Sequence, residues 1–181
     1  NGTSPTDRPF FKPLTLDPRL ARLMVSLSRS GSEPTAVVDP FCGTGGIAIE
    51  ASLLGFDVLA SDLDPVMSSG TLTNPEWADG SGEFRVEPHP AGSLHELWGT
   101  KEGCSFVFEP PYGRNAWTSE DGLEILLGAL SSALSMGQGG TVCTMLPTST
   151  DALDGPISEG LRVFGREWGE LKQSILETGW G

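Results

Sequence analysis

The run Asp39-Pro40-Phe41-Cys42-Gly43-Thr44-Gly45-Gly46 constrains this chain more than any other feature. It follows a short apolar run, Ala36-Val37-Val38, and precedes a helix-like stretch from Ile47 to Leu54. A strand, a glycine-rich turn and a helix in that order make a ligand-binding corner of an α/β domain. Gly43 and Gly45 let backbone N–H groups approach a ligand with no Cβ in the way. The turn also aims the positive end of the helix at that ligand. Gly55 closes the helix, and Asp57 to Ser61 reads as a second short strand with Asp62 and Asp64 at its C-terminal end. Two strand–helix units in series predict a parallel sheet, with ligands bound outside the carboxyl ends of its strands.

The remaining elements are read around this corner. Residues 1–14 form an extended arm, because Pro5, Pro9 and Pro13 resist helix. Asp17-Pro18 marks a helix start, with Asp as N-cap and Pro at the first helical position. Leu16, Leu20, Leu23, Met24 and Leu27 share a face of that helix, and Gly31 ends it. A helix is predicted from Pro65 to about Thr73, a strand over 83–87 and a helical turn over 93–98. Ser105 to Phe108 is a buried strand. Thr118-Ser119-Glu120-Asp121 resembles a helix-start box opening a leucine-rich helix, and Thr141 to Leu146 is a fifth strand. Over 161–168 and 171–177 an antiparallel pair is predicted, with a helix over Glu170–Leu176 as the alternative.

Bulk properties narrow the class. A chain of 181 residues suffices for one domain with a substantial core. No apolar run approaches the roughly 20 residues that span a bilayer, and the polar, proline-containing start shows no signal peptide. Neither a membrane nor secretion is expected, and a cytoplasmic location fits. The chain starts at Asn1, which reads as a processed or excised piece. Cys42, Cys104 and Cys143 are too few and too scattered for a disulfide framework or a zinc site. They read as small buried residues, so no metal is expected. A net charge of −13 argues against a basic face that grips nucleic acid by itself. A nucleic-acid partner would need a further domain or subunit.

Two clusters carry chemistry. Asp39 opens the turn, where a carboxylate can hold the ammonium of a methionine moiety; a purely structural turn is the competing reading. Three spaced glycines of the nicotinamide type are missing. Asp62 is placed to accept hydrogen bonds from two ribose hydroxyls. Asp64 fits better as the N-cap before Pro65, near the adenine edge of such a ligand. The second cluster is Glu109-Pro110-Pro111-Tyr112. An exocyclic amine on a base is a poor nucleophile, because its lone pair is delocalised into the ring. A carboxylate on Glu109 and the carbonyl of Pro110 can accept its two hydrogens and turn the lone pair toward a methyl donor. Tyr112 can stack on the base. A proline-rich turn with a core aromatic is the plainer reading. Arg114 could steer a phosphate or face solvent. Trp117 and His95 read as structural, and Lys12, Arg19 and Arg22 as a solvated face.

The segments Arg8-Pro9-Phe10-Phe11-Lys12-Pro13, Leu20-Ala21-Arg22-Leu23-Met24-Val25, DPFCGTGGIAIEA, SDLD and EPPYGR together resemble the catalytic domain of archaeal and eukaryotic tRNA (guanine-10-N2)-methyltransferases. The similarity is clear over 8–74 and 104–146. It implies a Rossmann-like class-I methyltransferase fold, with a mostly parallel seven-stranded sheet and helices on both faces. It implies S-adenosylmethionine as donor and the amine of a tRNA guanine as acceptor, with Phe41, Gly43, Thr44 and Gly45 among the cofactor residues beside Asp39, Asp62 and Asp64. It further implies that residues 1–32 are an arm and helix whose Pro13–Thr15 region closes the cofactor site of a domain over 33–181. A small zinc-binding activator protein is a possible partner. The family has Asp where Glu109 stands, and one extra methylene displaces the carboxylate by roughly 1 Å. The acid expected after the third strand is not evident; Glu87 and His89 lie nearby, and His89 reads as a loop residue. The family's tRNA-gripping THUMP domain is absent from these residues and would precede residue 1. Two alternatives remain: an amino-methyltransferase of DNA adenine or ribosomal guanine, and a cofactor-binding scaffold that has lost turnover through Glu109.

Overall fold

The computed structural model describes residues 4–13, 15–29, 34–111, 119–148 and 162–181. Val37–Asp39 (β1), Val58–Asp62 (β2), Phe84–Pro88 (β3), Ser105–Phe108 (β4) and Thr141–Thr144 (β5) form one sheet in the order β3-β2-β1-β4-β5. All four pairings are parallel, and Val38 of β1 stands between Leu59 and Phe106. β1 and β4 are buried along their whole length, as is most of β2. That is why they read as unbroken apolar runs: helices cover both faces of a parallel sheet.

The side-chain period of two divides these strands between two cores. Val38, Leu59, Phe106 and Phe108 face one way, into a cluster with Leu94, Leu126, Leu130 and Met136. Val37, Val58, Ala60 and Val107 face the other way and meet Ala21, Met24, Val25, Ile47 and Ala51. The first layer is built by Leu94–Trp98 (α5) and Ser119–Met136 (α6), the second by Pro18–Leu27 (α1) and Gly46–Leu53 (α2). α2 is buried from Gly46 to Ser52, because the sheet lies on one side of it and α1 on the other. Phe106 is 1% exposed, and its truncation to Ala would cost about 3–5 kcal/mol.

The helix starts follow their capping chemistry. Asp17 accepts the Arg19 N–H at 2.8 Å and Pro18 opens α1. Asp64 accepts the Val66 N–H at 2.8 Å and Pro65 opens Pro65–Thr71 (α3). The predicted helix over 65–73 stops at Thr71, and a short helix restarts at Asn74–Ala78 (α4).

Two expectations are corrected. Among the described residues the central sheet has five strands rather than seven. Arg162–Val163 (β6) and Arg166–Glu167 (β7) form a separate antiparallel pair. Each is two residues long; Arg162, Arg166 and Glu167 are exposed, Val163 packs into the core beside α6, and neither strand pairs with the five-stranded sheet. The second correction concerns 171–177, which is not a strand but part of Trp168–Glu177 (α7). Leu171 and Ile175, four residues apart, both pack into the α6 layer, which is helical spacing. Trp180 then donates its indole N–H to the Leu130 carbonyl at 2.8 Å. The start box at Thr118 lies outside the described residues; α6 is described from Ser119. No helix among the described residues is long and apolar enough to cross a membrane.

Candidate functional site

The carboxyl ends of β1, β2 and β4 open onto a cleft of about 1300 Å³. Its floor is the glycine turn between β1 and α2. Gly43 has φ +50° and Gly45 φ +80°, the left-handed region that glycine tolerates. A Cβ on Gly45 would stand 2.7 Å from Thr71 Cγ2, so close packing of the turn on α3 also requires glycine there. The turn is held at several points. Cys42 N–H donates to the Ser61 carbonyl at 2.9 Å, and Thr71 Oγ1 donates to the Gly43 carbonyl at 2.7 Å.

The carboxylates of the site differ in their surroundings. Asp39 ends β1 and is 1% exposed. Burial pushes its carboxyl up to about 8, and the nearby charges of Asp62 and Glu109 act in the same direction; the Phe41 N–H, which donates to Asp39 Oδ1, opposes them. Asp62 ends β2 and is already engaged. Gly43 N–H donates to its Oδ2 and Asp64 N–H to its Oδ1, each at 2.9 Å. These bonds fix the carboxylate against the turn, with a further lone pair on each oxygen. Glu109 follows β4, which pairs with β1, so it stands at the neighbouring strand end to Asp39. Burial also pushes the Cys42 thiol up, with Asp39 and Asp62 adding to it, so this cysteine stays protonated and inert.

The arm forms the wall over the turn. Thr15 Oγ1 donates to the Lys12 carbonyl and lies 2.8 Å from the Thr44 hydroxyl, which thereby donates to Thr15. Asn74 is fully buried and staples arm to turn. Its Nδ2 donates to the carbonyls of Phe10 and Thr44, and its Oδ1 accepts the Phe10 N–H. The Phe10 ring in turn lies where a Cβ on Gly70 would be.

Of the residues singled out by sequence, Asp39, Phe41, Gly43, Thr44, Asp62, Asp64, Thr15, Glu109, Pro110 and Pro111 line this one cleft. Gly45 lies behind it, against Thr71. Tyr112, Arg114 and Trp117 lie outside the described residues. Neither Glu87 nor His89 lines the cleft; Pro90, Ala91 and Gly92 do. His89 Nε2 instead meets the Ser93 carbonyl and hydroxyl at 2.9 and 3.0 Å, which ties it into its own loop. Sequence reasoning missed Asn74 and Thr71, whose importance lies in contacts 28 to 64 residues away. It also missed the outer wall from α6, where Glu124, Ile125 and Gly128 face the cleft. Gly128 lies three and four residues after Ile125 and Glu124, and that helical spacing was the available signal. Among the described residues no group of three or more His, Cys, Asp or Glu could hold a metal ion.

The family described as RMKL-like, methyltransferase domain matches residues 5–175. A tRNA (guanine(10)-N2)-dimethyltransferase of Pyrococcus abyssi is 34% identical over 168 residues, covering 93% of this chain and 50% of the relative. The enzyme of the same name from Methanothermobacter thermautotrophicus is 39% identical over 182 residues, covering 98% and 52%. The chain thus spans about half the length of these curated relatives. Among solved structures, TrmN from Thermus thermophilus aligns with a TM-score of 0.57 and 29% identity over 72% of this chain and 39% of that one. Magnesium protoporphyrin IX methyltransferase from Synechocystis with bound SAH, at 12% identity, aligns with a TM-score of 0.60 over 91% and 73%, a likeness of fold. With its parallel sheet, its glycine turn and a match over nearly its whole length, the chain belongs to the RMKL-like methyltransferase-domain family.

Proposed function

We propose that this chain is the catalytic part of an enzyme that methylates the exocyclic amine of a guanine in tRNA, with S-adenosylmethionine as donor. The observation that carries the reading is the meeting of two distant segments in one cleft. The glycine turn with Asp39 comes from β1, and Glu109-Pro110-Pro111 comes from the adjacent β4. The names of the relatives at 34% and 39% identity supply the substrate class.

The residues present fit the cofactor. A cleft of about 1300 Å³ has room for a nucleoside with an amino-acid tail and part of a second base. Asp39 would take the ammonium of the tail, and Asp62 the ribose hydroxyls through its remaining lone pairs. Leu63, 77% exposed at the lip of the cleft, offers an apolar face to a purine. Thr15 and Thr44 close the amino-acid end. When bound, S-adenosylmethionine supplies a methyl group on a positively charged sulfur, an activated leaving group. The chain's own task is therefore alignment rather than strong base catalysis.

At the acceptor end, Glu109 and the Pro110 carbonyl receive the two amine hydrogens. Two acceptors in fixed positions orient the nitrogen lone pair into the cleft. The prolines keep that geometry stiff, since neither has an N–H to exchange. The proton shed by the methylated nitrogen is strongly acidic, and the Glu109 carboxylate can take it. The base must leave its stack to enter such a pocket. With a net charge of −13, the grip on tRNA phosphates belongs to a further domain or subunit.

The test is incubation of the full-length protein with unmodified tRNA and methyl-labelled donor, followed by nucleoside analysis. Label in N2-methylguanosine is the expected result. Label only in ribosomal RNA or in DNA adenine would redirect the substrate, and no transfer at any salt concentration would overturn the reading.

A further inference from the structure

Arg8 belongs to the arm, yet it is only 4% exposed. Its Nε, Nη1 and Nη2 are all buried, and among the described residues none has a hydrogen-bond partner. A guanidinium keeps its charge in a protein, so burying one without partners is costly. Burial pulls its pKa down, and the charge of Glu50 offsets this only in part. Glu50 is itself engaged, since Arg22 donates its Nε–H to Oε2 at 2.8 Å. Two guanidiniums therefore share one carboxylate.

The position of the unpartnered group is informative. Arg8 Nη1 lies 3.9 Å from the point a Cβ on Gly46 would occupy. Gly46 is the first residue of α2, and it lines the cleft. A positive side chain thus stands beside the positive end of a helix, one residue's thickness behind the cleft wall. Such an arrangement is unfavourable unless an anion lies in front of it. The carboxyl groups of Asp39, Asp62 and Glu109 gather at the strand ends. With Arg8 behind Gly46 and carboxyl groups at the strand ends, a ligand carrying one ammonium and one carboxylate meets a counter-group for each.

We propose that Arg8, acting with the N-terminus of α2, is the counter-charge for the carboxylate of the cofactor's amino-acid end. Asp39 and Arg8 then fix the two poles of one zwitterion. The inference rests on the reading that S-adenosylmethionine occupies the cleft. Arg8 is a positioning residue: it selects the carboxylate through the backbone of Gly46 and leaves the adenosine end untouched.

The test is calorimetric titration with S-adenosylhomocysteine and with its decarboxylated analogue, which keeps the ammonium and lacks the carboxylate. Wild type, R8M, R8K and K12M are compared, since Lys12 also lines the cleft. R8M should weaken S-adenosylhomocysteine by about tenfold to fiftyfold and leave the analogue within about twofold. The ligand-free R8M protein should melt at or above the wild-type temperature, because an unpartnered buried charge has gone. R8K should lose about threefold to tenfold, again only for the carboxylate ligand, and it reads the same difference if R8M does not fold. Equal losses for both ligands, or a carboxylate-selective loss in K12M and not in the Arg8 variants, would overturn the inference alone. Failure of the wild type to bind S-adenosylhomocysteine would overturn the cofactor reading with it.

Discussion

On the proposal that Asp39 takes the cofactor's ammonium, its buried carboxyl makes cofactor binding a titration. Burial, with Asp62 and Glu109 nearby, holds its pKa at about 8, against 3.8 for an ordinary aspartate. At pH 7 only about a tenth of the ligand-free protein carries the charge. An ammonium ligand selects that tenth, so its affinity at pH 7 is reduced about tenfold, or about 1.4 kcal/mol, from the plateau. The affinity for S-adenosylhomocysteine should therefore rise about tenfold per pH unit between 6 and 7.5, then level off near 8. Binding at pH 7 should release close to one proton, about 0.9, readable by calorimetry in buffers of different ionisation enthalpy. Methylthioadenosine, which lacks the amino-acid tail, should bind with no such slope.

The same group affects stability with the opposite sense. In the folded ligand-free chain Asp39 retains a proton that the unfolded chain has released, so the native state binds more protons between pH 3.8 and about 8. Stability that is intact below this window is lost as pH rises through it, by up to about 1.4 kcal/mol per unit for this one group. D39N should remove that slope and bind S-adenosylhomocysteine weakly at every pH. A flat affinity between pH 6 and 8 with no proton release, or full affinity in D39N, would refute the assignment of Asp39 to the ammonium.

Three further outcomes follow from the same contacts. E109Q keeps the size of the side chain and removes its charge; single-turnover methyl transfer should fall by about 10²–10³, with S-adenosylhomocysteine affinity within about twofold by calorimetry. G45A must place a Cβ 2.7 Å from Thr71 Cγ2 at φ +80°, and should lower stability in urea by about 2–4 kcal/mol; T71S in that background should recover only the steric part. N74A leaves the Phe10 N–H and the carbonyls of Phe10 and Thr44 without their partner, which should cost about 2–4 kcal/mol and speed hydrogen exchange of the Phe10 amide.

What the sequence disclosed, and what it withheld, divides along the range of the interactions involved. β1, β2 and β4 were legible because a strand covered on both faces is a continuous apolar run, and the turn after β1 because glycines announce it. Asp17 and Asp64 were legible as caps because an N-cap bonds to a neighbour two residues away. The sheet width was not: nothing local distinguishes two more core strands from the short hairpin of β6 and β7. Residues 171–177 carry apolar positions at both spacings, and only packing against α6 selects the helix. Asn74 carried no local signal, since its partners are 64 and 30 residues away in the chain. Arg8 read only as part of an extended arm, because its burial depends on how the arm folds back over α2.

That folding back ties the arm to the site thermodynamically. Phe10 is held by Asn74, Asn74 also holds Thr44, and Thr44 bonds Thr15. On the far side of the arm, α1 is fixed to α2 through Arg22 and Glu50. Each of these bonds is modest alone, but those through Asn74 and Thr44 share residues, so their energies are coupled rather than additive. Loosening one leaves the others holding a less ordered segment. A ligand that touches Thr15 and Thr44 at once gains affinity from an arm already ordered, and orders it further when it binds. Arm order and cofactor affinity must then rise and fall together: a variant that frees the arm weakens the cofactor even when every cleft residue is intact. Exchange protection of the Phe10 amide, followed as S-adenosylhomocysteine is added, should increase in proportion to occupancy, and protection indifferent to the ligand would show that arm and turn are not one unit.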